Sequence, residues 1–117
     1  MVCIVDDDEL MRDALQGLLR EAGFRAQAFA SAQEFLDSGQ PQRCRCLIAD
    51  IRMPGMSGLD LQAQLNAERI RIPIIFVTAH GDERMRMQAM RSGAVEFLAK
   101  PFDHGVLLDT VRAALER

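Results

Sequence analysis

The chain has 117 residues, about the size of one domain, and Leu, Ile, Val and Phe make up 32 of them, well above the roughly one-fifth below which chains tend to stay disordered. A net charge of −3 argues against nucleic acid as a direct partner, and no apolar run approaches the ~18 residues of a membrane-spanning helix. The N-terminus turns acidic at Asp6, unlike a secretory signal, so the expectation is a soluble, cytoplasmic domain over residues 1–117 with no membrane contact.

The elements follow in order. Val2–Val5 is an apolar run closed by Asp6-Asp7-Asp8, with Asp8 placed to cap the next helix. From Leu10 to Ala22, Met11, Leu15, Leu18 and Ala22 recur at helical spacing, and Gly23 follows as a C-cap. Phe24–Phe29 reads as a weaker strand, and Ser31 caps a short helix over Ala32–Ser38. A polar loop over 40–45 leads into Cys46–Ala49, an apolar strand ending at Asp50. Residues 53–58 carry turn chemistry, and a helix spans Gly58–Glu68. Pro73–Val77 is a β-branched strand ending at Thr78. Asp82 caps a helix reaching Ser92, Val95–Leu98 is the last strand, and Asp103 starts the last helix. Met85, Met87 and Met90 on the fourth helix suit a packing or partner face.

Five βα units in series predict an α/β, doubly wound fold: parallel strands joined by right-handed crossovers, with helices on both sheet faces. Val2–Val5, Cys46–Ala49 and Ile74–Val77 lack polar alternation, as strands buried on both faces do.

The three cysteines are odd in number, so they form no closed disulfide framework. Cys44 and Cys46 have the spacing of half a metal site, without a second Cys/His cluster to complete it. Cys3 reads as a small buried hydrophobe. Thirteen of the 14 basic residues are arginine, and Lys100 is the single exception.

In an open parallel sheet, ligands bind beyond the carboxyl ends of the strands. The sequence places Asp6 and Asp7 after the first strand, Asp50 after the third, Thr78 at the fourth and Lys100 after the fifth. Two carboxylates ~5 Å apart repel by about 3 kcal/mol at an effective dielectric of ~20, and three acids make three such pairs. One lysine cannot offset that; a divalent cation can. Oxygen-only ligands suit Mg²⁺, which readily shares a phosphoryl oxygen. The crevice reads as a metal-assisted phosphoryl site with a carboxylate nucleophile.

Asp6-Asp7, Asp50 in D-I-R-M-P-G-M-S-G, T-A-H-G-D from Thr78 and A-K-P-F around Lys100 together resemble the receiver domain of two-component response regulators, of the FixJ type, over the whole chain. The resemblance implies a flavodoxin-like (βα)5 fold with a five-stranded parallel sheet of order 2-1-3-4-5. It implies that Asp50 accepts a phosphoryl group from the phosphohistidine of a sensor histidine kinase. Asp7, Asp50 and the Arg52 backbone carbonyl would ligate Mg²⁺, with Mn²⁺ or Ca²⁺ as substitutes, and Asp6 would hold a metal-bound water. Lys100 would pair with Asp50 and then with the phosphoryl oxygens, a task suited to a compact ammonium rather than a planar guanidinium. Thr78 would bond a phosphoryl oxygen, Phe97 would be the switch aromatic, and the Lys100–Pro101 peptide would be cis.

In the family that this chain resembles, the residues two past the phosphoacceptor and the threonine tune dephosphorylation; here they are Arg52 and His80, both bulky, so the resemblance implies slow self-dephosphorylation. The resemblance further implies an output face on the fourth helix, fifth strand and fifth helix, involving Arg84, Met85, Met87, Arg91, Asp109 and Arg112. That face would form a homodimer on phosphorylation or control a helix-turn-helix output domain beyond this chain. Such a domain is a phosphoacceptor with intrinsic self-phosphorylation and self-dephosphorylation chemistry, not an enzyme. A competing reading takes Asp6-x-Asp8 as the nucleophile motif of haloacid-dehalogenase phosphatases, making Asp6 the covalent site. Leu10 stands where that family has Thr or Val, and the chain leaves no room for a cap. A third reading, a binding module without phosphorylation, has no residue in its favour.

Overall fold

The computed structural model describes residues 1–79 and 81–116. Its elements are β1 (Val2–Val5), α1 (Glu9–Glu21), β2 (Ala26–Phe29), α2 (Ala32–Asp37), β3 (Cys46–Ala49), α3 (Gly58–Ala67), β4 (Ile74–Thr78), α4 (Glu83–Arg91), β5 (Glu96–Ala99) and α5 (His104–Leu115). The strands form one parallel sheet of order β2-β1-β3-β4-β5. Both the architecture and the strand order match the expectation.

Period-2 alternation sends neighbouring side chains of each strand to opposite faces, which produces two core layers. Cys3, Val5, Leu47, Ala49, Ile74 and Phe76 pack beneath α2, α3 and α4. Val2, Ile4, Cys46, Ile48, Ile75 and Val77 pack beneath α1 and α5, against Leu15, Leu19, Leu107 and Val111. Every residue of β1, β3 and β4 is buried, which explains their lack of polar alternation.

The helix starts follow from side-chain chemistry. Asp8, Ser31, Asp82 and Asp103 each accept a hydrogen bond from a first-turn backbone N–H, as their positions suggest. Ser57 and Asp60 add a reciprocal capping box at α3, inside a segment whose sequence shows only turn chemistry.

The helix ends fall within a residue of those expected, and the strand boundaries differ in three places. β2 starts at Ala26, because Phe24 still donates its N–H to Leu19 and so finishes the turn after α1. β4 starts after Pro73, whose carbonyl accepts from the Leu47 N–H. β5 is shifted one residue, to Glu96–Ala99; as a half-exposed edge strand it carries a weaker apolar pattern. The Lys100–Pro101 peptide is cis. No described helix is long and apolar enough to cross a membrane.

Candidate functional site

The strand ladders continue just far enough to fix the crevice residues. The Asp6 N–H donates to the Phe29 carbonyl at 3.1 Å, Asp50 to Val5 at 3.0 Å, and Lys100 to Thr78 at 2.9 Å. Asp6, Asp50 and Thr78 are therefore held at the carboxyl edge of the sheet, and all three are buried; Asp7 is exposed beside them. Carboxylate oxygens of Asp6, Asp7 and Asp50 come within 4.8 Å of one another.

Lys100 enters this cluster from β5. Its Nζ lies 3.0 Å from Asp6 Oδ2 and 3.1 Å from Asp50 Oδ2. Asp6 Oδ1 accepts from the Asp8 N–H at 2.9 Å, and the Asp6 carbonyl accepts from the Arg12 guanidinium at 2.8 Å. Asp50 Oδ1 faces the Arg52 N–H at 3.4 Å, a long contact that leaves most of its acceptor capacity unused. Among the described residues Asp7 has no protein partner.

Burial pushes the Asp6 carboxyl above its ordinary value, a rise only partly opposed by the Asp8 N–H and Lys100. Burial also works against the Lys100 ammonium, but its bonds to Asp6 and Asp50 outweigh it and lift that group above its ordinary value. The cluster thus sets one cation against three carboxylates. A hard divalent cation fits the oxygen-only donor set and offsets the remaining charge, so the residues present suit Mg²⁺.

Thr78 and Phe97 both close on Gly81: a side chain there would begin 2.7 Å from the Thr78 methyl and 2.5 Å from the Phe97 ring. The half-buried Phe97 ring lies 6.4 Å from that of Phe76, at the edge of the core. On the opposite side, a Cβ at Gly58 would collide with the Asp50 carbonyl oxygen, and the Gly58 N–H donates to the Ile51 carbonyl at 2.8 Å.

The structure brings together Asp6, Asp7, Asp50, the Arg52 backbone N–H and Lys100, with Thr78 leading to Phe97. His80 lies outside the described residues. The sequence reading missed the Asp6–Lys100 pair, having assigned the ammonium to Asp50 alone; the signal was a single lysine facing two buried acids. It also missed Arg12, Gly58 and Gly81. Cys44 and Cys46 point into opposite core layers, so they do not form half of a metal site.

The family model described as the response regulator receiver domain matches residues 2–112. The chain is 50% identical over 117 residues to Nodulation protein W of Bradyrhizobium diazoefficiens, covering 100% of this chain and 52% of the relative. It is 42% identical over 116 residues to Transcriptional regulatory protein FixJ of Azorhizobium caulinodans, covering 99% and 55%. The crystal structure of FixJ-N superposes with a TM-score of 0.89 at 40% identity, covering 99% of this chain and 93% of that one. The chain spans about half the length of the curated relatives it matches. Fold, strand order and sequence agree, and the chain belongs to the response regulator receiver domain family, on its FixJ-like branch.

Proposed function

We propose that this chain is a phosphorylation switch in which Asp50 accepts a phosphoryl group from the phosphohistidine of a sensor histidine kinase. The observation that carries the reading is the Lys100 ammonium bridging Asp6 and Asp50 where three carboxylates converge. Asp7, Asp50 and the Arg52 carbonyl would hold Mg²⁺, with Asp6 holding a water beside it, and the bound cation would neutralise charge on the phosphoryl oxygens. An Asp50 carboxylate oxygen attacks phosphorus, the phosphorus–nitrogen bond breaks, and the kinase imidazole leaves. Lys100, already at Asp50, pairs with the incoming phosphoryl oxygens. The Thr78 hydroxyl donates to one of them and moves inward, and the Phe97 ring follows into the space it leaves.

The haloacid-dehalogenase reading is disfavoured by geometry as well as by family. Both Asp6 oxygens are engaged, one by the Asp8 N–H and one by Lys100, and the residue is 2% exposed.

The output face belongs to the β5 edge of the sheet. On α4, Arg84, Met87 and Arg91 are exposed and line a shallow depression, whereas Met85 and Met90 pack into the core. Arg112 is less available than its sequence suggests: it pairs with Asp109 on its own helix, and its guanidinium lies 5.8 Å above the Phe24 ring, away from α4. Phosphorylation favours a homodimer through α4 and β5, and the name of the longer FixJ relative, a transcriptional regulatory protein, supports a transcriptional output domain as partner, of the helix-turn-helix kind that the resemblance implies.

Acetyl phosphate with Mg²⁺ should add one phosphoryl group to this chain, and Asp50→Asn should remove the adduct from the intact-mass spectrum. An undiminished adduct in that variant would overturn the assignment.

A further inference from the structure

The amino edge of the sheet, opposite the crevice, carries a band of arginines. Arg43 and Arg45 lie in the segment that leads into β3, and Arg71 lies in the one that leads into β4. Main-chain bonds fix both segments: the Arg45 N–H donates to the Met1 carbonyl at 2.9 Å, and the Leu47 N–H to the Pro73 carbonyl at 2.9 Å. An open depression of about 450 Å³ is bordered by Arg43, Arg45, Arg71 and Leu115. A second, of about 660 Å³, is bordered by Arg69, Ile70, Arg71 and Ile72. Arg71 and Pro73 border both, so the two depressions meet in one groove across the ends of β3 and β4.

These guanidiniums are uncommitted. Arg12, Arg20, Arg86 and Arg112 each bond a carboxylate or a carbonyl. Among the described residues, Arg43, Arg45, Arg69 and Arg71 make no side-chain hydrogen bond or ion pair, and all four are exposed. Glu68 and Glu116, the acids next to these segments in sequence, border neither depression. Arg43, Arg45 and Arg71 belong to no helix, so they are not last-turn complements of a helix dipole. Arg69 closes α3 with a backbone φ of +59°, a left-handed position that α1, α2 and α4 give to Gly23, Gly39 and Gly93. At α3 alone of these four, the turn tolerates a side chain and gains a guanidinium.

Guanidiniums suit carboxylates and phosphates alike. Two features select between them. The half-buried Ile70, Ile72, Pro73 and Leu115 line the groove between the charges, and they suit apolar side chains rather than a sugar–phosphate strand. The carboxyl ends of α3, α4 and α5 also reach the groove, through Asn66, Ser92 and Ala114, and their terminal carbonyls favour a ligand with N–H donors. A peptide carries such donors beside its carboxylates, whereas a phosphodiester carries acceptors only. We propose that this groove docks an acidic segment of a partner protein. Its Asp or Glu carboxylates pair with Arg43, Arg45, Arg69 and Arg71, and interleaved apolar side chains rest on Ile70, Ile72 and Pro73. Occupancy leaves the Asp50 crevice open, because the two sites lie at opposite ends of the strands.

The test uses a short labelled peptide of alternating glutamate and leucine, titrated into the whole chain at near-physiological salt and followed by fluorescence polarisation. Saturable binding is expected, with Arg71→Glu weakening it by about tenfold or more and Arg86→Glu, of identical net charge, leaving it unchanged. Asp50→Asn should bind as the parent does, which separates this proposal from the phosphoryl chemistry. In the parent chain, amide NMR shifts caused by the peptide should centre on residues 43–45 and 69–73 and spare Asp50, a readout that does not depend on any variant. Equal weakening by both charge reversals, equal binding of a glutamine–leucine peptide, or shifts centred elsewhere would overturn the proposal. So would tighter binding of a short DNA duplex at these residues, or self-association of the chain that Arg71→Glu abolishes.

Discussion

Lys100 reaches across the crevice to Asp6 at 3.0 Å, although the two residues are 94 positions apart and end strands that are not neighbours in the sheet. The same ammonium holds Asp50 at 3.1 Å, so it is the shared counter-charge of two buried acids. Replacing it with Lys100→Met strands both carboxylates. Removing one partner of a buried pair costs ~3–5 kcal/mol, and the low end, about 3 kcal/mol, is expected because the Lys100 side chain keeps some solvent contact. Chemical denaturation followed by far-UV circular dichroism should show that loss without Mg²⁺ and a smaller one with it, since the cation takes over the neutralisation. Equal stability of variant and parent in metal-free buffer would show that the pairing contributes nothing.

Gly81 gives a second prediction. Its missing side chain is replaced by the Phe97 ring and the Thr78 methyl, so Gly81→Ala must displace one of them. Overpacking of this kind costs roughly 1–3 kcal/mol. The Phe97 and Phe76 ring resonances should move in the variant without any phosphoryl group present, because the two rings are 6.4 Å apart. Unchanged ring resonances would mean that the loop, not the ring, gives way.

Leu10 is 80% exposed on the first turn of α1, and Val106 on α5 is 48% exposed. Nearby, Met11, Ala14, Phe102 and His104 line a small cavity of about 170 Å³ that also touches Lys100. A protein phosphodonor approaching Asp50 would cover this apolar rim; a small phosphodonor would not. Burying a leucine is worth about 1.5–3 kcal/mol. Leu10→Ser should therefore slow transfer from a phosphorylated kinase domain by about tenfold or more, with the acetyl phosphate rate unchanged. A parallel fall in both rates would place the effect in the crevice instead.

The α4 face yields a charge-reversal test. With Mg²⁺ and beryllofluoride the parent chain is expected to form the proposed dimer in sedimentation, Arg91→Glu should weaken it, and Arg25→Glu should not. Arg91 borders the exposed depression on α4, and Arg25 leads into β2 at the opposite edge of the sheet. The reverse pattern would move the interface away from α4.

The parts of the fold that were legible in sequence are those set by periodicity. β1, β3 and β4 are buried on both faces and show it as unbroken apolar runs, and four of the five helix caps are visible as a Ser or Asp just before a helical pattern. Phe24 misleads because an apolar residue finishing a helix turn resembles one opening a strand. The crevice acids were legible because topology gathers strand ends. Contacts that depend on side-chain reach were not. Nothing in the order of residues says that Lys100 prefers two acids to one, that Gly81 lies under Phe97, or that Cys44 and Cys46 belong to opposite core layers. Helical spacing puts Met85 and Met87 on different faces, but only packing shows that Met85 is the inward one.

The close seat of Gly58 on the Asp50 carbonyl makes the crevice a vice with one fixed jaw. On that side the Ser57–Asp60 box locks the start of α3, the Gly58 N–H is bonded to Ile51, and Ile51 and Met53 are buried. The start of α3 lies directly against the Asp50 and Ile51 backbone. The opposite jaw is built differently, from Thr78, a residue without a side chain at 81, and a half-exposed edge strand carrying Phe97 and leading to Lys100. A phosphoryl group at Asp50 would then act mainly toward β4 and β5, where the edge strand is half-exposed. The asymmetry of the two walls, rather than any single switch residue, would set the output side of the proposed switch.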